Sequence, residues 1–183
     1  MAEVAARETP TPARSEWLRP LPPAARFVLH APAAARALAA PVWSPGFSEL
    51  ACRASGDGDR ASLWLGPDEY LLLAPDAEGA ALHASLATAL AGSPHALVDV
   101  SHRQTAFEII GPHAPDILNG GCPLDLDLAE FPVGMCTRTV FAKAEITLWR
   151  TASQTFHVEV WRSFTDYLSQ LLAEVARDYT GRA

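Results

Sequence analysis

One local pattern occurs twice in this chain and restricts its architecture more than any other feature. It is a pair of short apolar runs joined by a polar turn and followed by a helical stripe. In the stretch SLWLGPDEYLLLAP, residues 62–65 and 70–74 read as two strands. Gly66, Pro67, Asp68 and Glu69 make the hairpin connection between them. Asp76 then stands where a helix cap belongs, and Leu82, Leu86 and Leu90 recur at helical spacing within an expected helix over 77–91. Near the C-terminus residues 145–150 and 155–161 form a second pair of runs. Ser163, with Asp166 three residues on, is expected to cap a last helix with the core stripe Phe164, Leu168, Leu171 and Val175. A hairpin buries its apolar face most economically under a helix laid across it. Two such units predict an α+β fold, with antiparallel sheets, helices on one side and two pseudo-repeated hairpin-plus-helix lobes.

The intervening chain fits this frame. Residues 27–31 read as a strand, 32–40 as a short helix stopped by Pro41, and 47–54 as a strand before a turn cluster at 55–59. Residues 97–100 and 105–110 are further strands, and Gly111-Pro112 opens a helix that ends at Gly120-Gly121. The stretch 121–134 is a loop, and 135–142 resumes as a strand. Residues 1–26 hold five prolines and the anchor pair Trp17-Leu18, which predicts an extended or disordered N-terminal arm. Such an arm lies on a partner or stays a loose terminus. The remainder, 27–183, reads as a single domain of two lobes meeting near residue 100, approximately 27–100 and 101–183.

A net charge of −7 with no basic run excludes a nucleic-acid partner as an expectation, because phosphate binding needs clustered cations. No stretch has the length or apolarity of a membrane helix or a signal peptide, so the expectation is a soluble, cytoplasmic protein without a membrane partner. Three cysteines, Cys52, Cys122 and Cys136, lack paired metal-ligand spacings, and no metal site is expected. There is neither a GxSxG elbow nor a GxGxxG or Walker loop. No catalytic residue and no nucleotide or flavin site is therefore assigned to this chain. Asp125, Asp127 and Glu130 alternate with Leu124, Leu126 and Leu128, as on a half-exposed loop.

Two places hold concentrated polar chemistry. Ser101, His102 and Arg103 interrupt the apolar runs 97–100 and 105–110, and read as a polar corner whose side chains bond backbone groups left unpaired between two elements. On extended backbone Ser101 and His102 would face opposite ways. The last hairpin is the second place. Phe156, Val158 and Val160 share one face of its final strand, and Thr155, His157, Glu159 and Trp161 the other. On the preceding strand Trp149 likewise joins Glu145 and Thr147 on a polar face. Tryptophans framed by polar groups are frequent interface anchors, so Trp149, His157, Glu159 and Trp161, with Trp17 from the arm, are candidates for a partner surface.

The stretches LWLGPDEYLLL, VDVSHRQTAFEIIGPHAPDILNGGCPLDL, FPVGMCTRTVFAKAEITLWR and FHVEVWRSFTDYL, in this order over about residues 61–175, resemble the gamma subunit of heterotetrameric sarcosine oxidase. That family in turn resembles the folate-binding aminomethyltransferases. Asp99-Val100-Ser101-His102 matches the DVSH segment of the latter. Lys143-Ala144-Glu145 stands where they carry an acidic pair, so only Glu145 remains, and Gly134-Met135-Cys136 is the nearest approach to the cysteine motif of related proteins. The resemblance implies an aminomethyltransferase-like fold and a non-catalytic subunit, with alpha, beta and delta subunits as partners. The complex so implied contains FAD, FMN and NAD, uses tetrahydrofolate and oxidatively demethylates sarcosine to glycine, forming H2O2 and 5,10-methylenetetrahydrofolate. Ser101, His102, Arg103 and Glu145 are then a vestigial ligand site. The alternative is a stand-alone folate or one-carbon-binding protein of the aminomethyltransferase type.

Overall fold

The computed structural model describes residues 15–180. Two five-stranded antiparallel sheets, each with helices on one face, pack through their other faces. One sheet holds β2 (Ala24–His30), β3 (Ala54–Asp57), β4 (Arg60–Gly66), β5 (Glu69–Pro75) and β6 (Ala96–Asp99), in the spatial order β3-β4-β5-β2-β6. Its outer face is covered by α1 (Ala33–Ala39) and α2 (Gly79–Leu90). The other holds β1 (Leu18–Pro20), β7 (Gln104–Ile110), β8 (Cys136–Phe141), β9 (Ala144–Ala152) and β10 (Thr155–Trp161), in the order β1-β7-β10-β9-β8. Its cover is α3 (Ala114–Asn119) and α4 (Thr165–Thr180).

Strand alternation explains the layers. On β5, Tyr70, Leu72 and Ala74 meet Leu82, Leu86 and Leu90 of α2, while Leu71 and Leu73 turn the other way. On β10, Phe156, Val158 and Val160 meet Leu168 and Leu172 of α4. The middle layer is the third cluster, where Ala61, Leu63, Leu71 and Leu73 of one sheet pack with Cys136 and Trp149 of the other. The repeated unit is visible in both halves. The hairpin β4–β5 passes through a 3-10 turn at Asp76–Glu78 into α2, and β9–β10 through a 3-10 turn at Arg162–Phe164 into α4.

Several local expectations need correction. Residues 47–53 are not a strand. Their apolar groups serve as loop anchors: Phe47 packs edge-on to Tyr70 at 5.2 Å, and nearby Trp43 is buried with its indole N–H donating to Ser62 Oγ at 2.5 Å. The strand begins at Ala54, the last residue of the expected one, and runs into the expected turn cluster as far as Asp57, because Gly58 at φ +59° closes a tighter hairpin at Gly58-Asp59. Ser163 falls within the 3-10 turn rather than at a helix cap, and Phe164 beside it is exposed. The α4 stripe is instead Leu168, Leu172 and Ala176, with Leu171 and Val175 partly buried. Asp76 likewise is the first residue of a 3-10 turn, and the N-cap position of α2 falls to Glu78, which makes no side-chain cap bond. Within the expected arm, β1 pairs with β7 (Leu18 opposite Ile109) and Ala24 to Arg26 belong to β2. Trp17 packs against the core beneath α4. The rest of the arm, residues 1–14, lies outside the described residues.

Candidate functional site

The corner at 101–103 is a turn between β6 and β7, closed by the Arg103 N–H donating to Val100 O at 2.9 Å. A turn does not alternate its side chains, so Ser101 and His102 line one cavity together instead of diverging. Ser101 is fully engaged. Its Oγ accepts from the Arg26 N–H at 2.9 Å and donates to Asp99 Oδ1 at 2.6 Å, and its own N–H donates to the same oxygen at 2.8 Å. The Ser101 hydroxyl and amide hold the Asp99 carboxyl below the usual range. Among the described residues no hydrogen bond joins His102 to Ser101. The nucleophile–base contact that acyl-transfer chemistry requires is therefore not formed. The serine instead satisfies a backbone donor at the end of the β2–β6 ladder.

Two cavities flank the turn. The first, about 500 Å³, lies between the segment Pro20–Pro23 and the corner, and also touches Arg26, Gln104, Arg162 and Thr165. The second, about 270 Å³, is lined by Val28, Leu65, Val98, Arg103, Glu145 and Trp161 among others. The four residues expected to form a vestigial site are thus divided. Ser101 and His102 face the first cavity, and Arg103 and Glu145 the second. Gln104 lines both, is only 9% exposed, and its Oε1 has no hydrogen-bond partner among the described residues.

The polar face of β10 is not an outer face. Glu159 is 1% exposed and lies against the other sheet. Its Oε2 accepts from Arg26 Nε at 2.6 Å, and its Oε1 is 2.8 Å from His157 Nε2. Arg26 also donates to Ala24 O at 3.0 Å. Burial pushes the Glu159 carboxyl upward, but His157 and Arg26 outweigh it and hold it below the usual range. Trp149 belongs to the cluster between the sheets and packs beside His157 at 5.8 Å. Glu159 and Trp149 are therefore spent inside the chain, because the face that carries them is the only one left for the second sheet. Trp161 remains 43% exposed at the strand's end, beneath the Arg103 guanidinium at 5.2 Å from the ring centre.

Sequence reading missed Arg26, Gln104 and Arg162. Arg26 had a signal: a lone cation inside the apolar strand AARFVLH must find a partner if that strand is buried. The acidic pair of the loop is confirmed as local structure, since Asp125 accepts from the Asp127 N–H at 2.9 Å and Asp127 from the Ala129 N–H at 2.8 Å. Cys136 is buried, and that burial pushes its thiol up to about 12. Among the described residues, no group of three His, Cys, Asp or Glu side chains is placed to hold a metal, and no helix is long and apolar enough to cross a membrane.

Two antiparallel sheets back to back, with helices outside and a polar turn between them, make an α+β fold like that of the aminomethyltransferases. The structure of glycine cleavage system aminomethyltransferase T from Bartonella henselae superposes with a TM-score of 0.65 over 87% of this chain and 46% of that one, at 14% identity, a likeness of fold. The chain belongs to the Sarcosine oxidase, gamma subunit family, whose model matches residues 30–178. A curated relative, the sarcosine oxidase subunit gamma of Corynebacterium sp. strain P-1, is 38% identical over 119 residues, 65% of this chain and 58% of that protein. By this match the chain spans less than two thirds of the curated relative's length. A chain of the heterotetrameric sarcosine oxidase from Corynebacterium sp. U-96, solved in complex with pyrrole 2-carboxylate, superposes with a TM-score of 0.84 at 29% identity. That match covers 94% of this chain and 90% of the other.

Proposed function

We propose that this chain is the non-catalytic gamma subunit of a cytoplasmic heterotetrameric sarcosine oxidase, assembled with alpha, beta and delta subunits. The complex oxidatively demethylates sarcosine to glycine, with H2O2 and 5,10-methylenetetrahydrofolate as the other products. The observation that carries the reading is the family match over residues 30–178, together with the superposition on a chain of a heterotetrameric sarcosine oxidase along nearly its whole length.

The use of the polar groups supports the non-catalytic part. Ser101 bonds a carboxylate and a backbone amide, Glu159 and Arg26 neutralise each other between the sheets, and Cys136 is a buried thiol. The strand pairings are antiparallel throughout, so the described residues offer no parallel strand–glycine turn–helix cradle for a dinucleotide phosphate. FAD, FMN and NAD are accordingly assigned to the partner subunits, as is tetrahydrofolate chemistry, and the Ser101–Glu145 group to a former ligand corner.

The test is to tag the chain in its native host, purify it gently, and record intact masses with the visible spectrum of the material. Co-purified larger subunits with flavin absorbance and sarcosine-dependent H2O2 release are the expected result. A colourless single species that binds tetrahydrofolate in calorimetry overturns it in favour of a one-carbon carrier.

A further inference from the structure

β6 is the terminal strand of its sheet, and its far edge is open. It pairs only with β2, with Val98 opposite Val28 and Asp99 opposite Phe27. The Val100 N–H donates to Arg26 O at 2.8 Å, so alternation makes Val98 the next residue whose backbone faces β2. The backbone groups of Leu97 and Asp99 then point to the free side. Natural sheets blunt such edges with lysine, proline or a covering loop. Here the edge reads Ala-Leu-Val-Asp and leaves Val98 52% exposed.

Beside this edge lies the second cavity, which Val98 shares with Val28, Leu65, Val100 and Trp161. Its charged lining is Arg103, Arg138, Glu69 and Glu145, of which Arg138 and Glu69 pair with each other, and Arg162 stands at the neighbouring first cavity. Arg103 lies over Trp161, and the Arg162 N–H donates to Arg103 O at 2.8 Å, which fixes the two arginines side by side. Among the described residues neither has a carboxylate within salt-bridge distance, as is also true of Arg53 and of Arg150, whose guanidinium is taken up by backbone carbonyls, whereas Arg19, Arg26, Arg36, Arg60, Arg138 and Arg177 each have one. Two arginines without an ion-pair partner beside an exposed tryptophan offer a local cationic spot in a chain of net charge −7. They are too few for a polyphosphate backbone, and they match one or two carboxylates.

We propose that the free edge of β6 and the Arg103–Trp161–Arg162 corner form one docking surface for an acidic, extended segment of a neighbouring subunit. The segment adds a strand beside β6, sets an apolar side chain into the cavity between Val98 and Trp161, and places its carboxylates on Arg103 and Arg162. This deepens the subunit reading above and rests on it.

The test uses the complete complex, assembled from the other oxidase subunits co-expressed with this chain. Trp161→Ala and the double variant Arg103→Glu, Arg162→Glu are each expected to weaken association by about tenfold or more, the double variant with a flattened salt dependence. Lys143→Glu, an exposed cation on the β8–β9 turn, is the charge control and is expected to assemble like the parent. Thermal melts of the free chains separate lost docking from lost folding. Hydrogen exchange locates the contact: the Leu97 and Asp99 amides are expected to slow on assembly. Partners bound with parental affinity by both test variants, or unchanged exchange at these amides, overturns the docking surface and leaves the subunit reading intact. A parental chain that captures none of the other subunits overturns both.

Discussion

Glu159 keeps its charge where almost no water reaches it, and the stability of the middle layer depends on Arg26 and His157, the two side chains that bond its carboxylate. Removing one partner of a buried pair leaves the other unpaired in low dielectric. Arg26→Met is therefore expected to cost about 3–5 kcal/mol in urea melts, and the double variant Arg26→Met, Glu159→Leu clearly less than the sum of the two singles. Strict additivity would show that the pair is not coupled. The pH dependence follows from the same contacts. The folded carboxyl titrates below its unfolded value, so its contribution is fully present above the unfolded carboxylate range, about 4.3, and is lost as pH falls through the lower folded value. Glu159→Gln is expected to be less stable at neutral pH and to lose less stability on acidification, measured as urea midpoints between pH 7 and pH 2. An unchanged acid limb would assign it to other carboxylates. Cys136 makes a simpler prediction: with its thiol raised to about 12 and buried, it stays unlabelled by iodoacetamide at pH 8 until denaturant is added. Of this chemistry the sequence showed the Ser101 corner, because a polar turn between two apolar runs has few roles. It hid the Arg26–Glu159 pair, whose members lie 133 positions apart and meet only when two sheets stack.

At the level of elements, period and turn chemistry located both hairpins and three of the four helices well, because each is decided by residues within one or two turns. The errors came where packing chooses. Residues 47–54 have a strand's composition, but the tight Gly58 turn hands the ladder to Ala54–Asp57 and leaves Phe47 and Trp43 as anchors. The stripe of α4 rotates by one residue because a 3-10 turn, not a capped start, joins it to β10. The same joint precedes α2, and there Gly79 matters. A Cβ at Gly79 would sit 2.9 Å from the Ala25 Cβ, an atom fixed to the β2 backbone and unable to rotate away. Gly79→Ala is expected to push α2 off the sheet at a cost of about 1–3 kcal/mol, larger than any gain in helix propensity. Differential scanning calorimetry should show a lowered Tm that Ala25→Gly partly restores. A raised Tm would mean that the helix start has room.

For the whole molecule, the sequence suggested two lobes joined at residue 100, yet the connections between the sheets are too many for the halves to open separately. β1 departs from the chain order by joining the sheet built from the second half. Arg53 bridges to Met135, the Ala54 N–H donates to Gly134 O at 2.8 Å, and the Cys136 thiol lies 3.6 Å from Trp64 O. Leu63, fully buried, stands in the middle cluster against groups of both sheets. Leu63→Ala removes apolar contact from both at once, at an expected cost of about 2–5 kcal/mol. If the sheets unfold as one unit, hydrogen exchange in β5 and in β9 should accelerate by the same factor, although β9 carries no substitution. Acceleration confined to β5 would show that the sheet carrying β7 to β10 holds its fold alone, and the middle layer would then be an interface between two units. Coupling of the sheets also has a consequence for assembly. A partner strand docked on β6 would be braced through β2, Arg26 and Glu159 against β10, so docking on one sheet should slow exchange in the other. Protection of the β10 amides in the assembled complex, absent in Arg26→Met, would report that transmission directly.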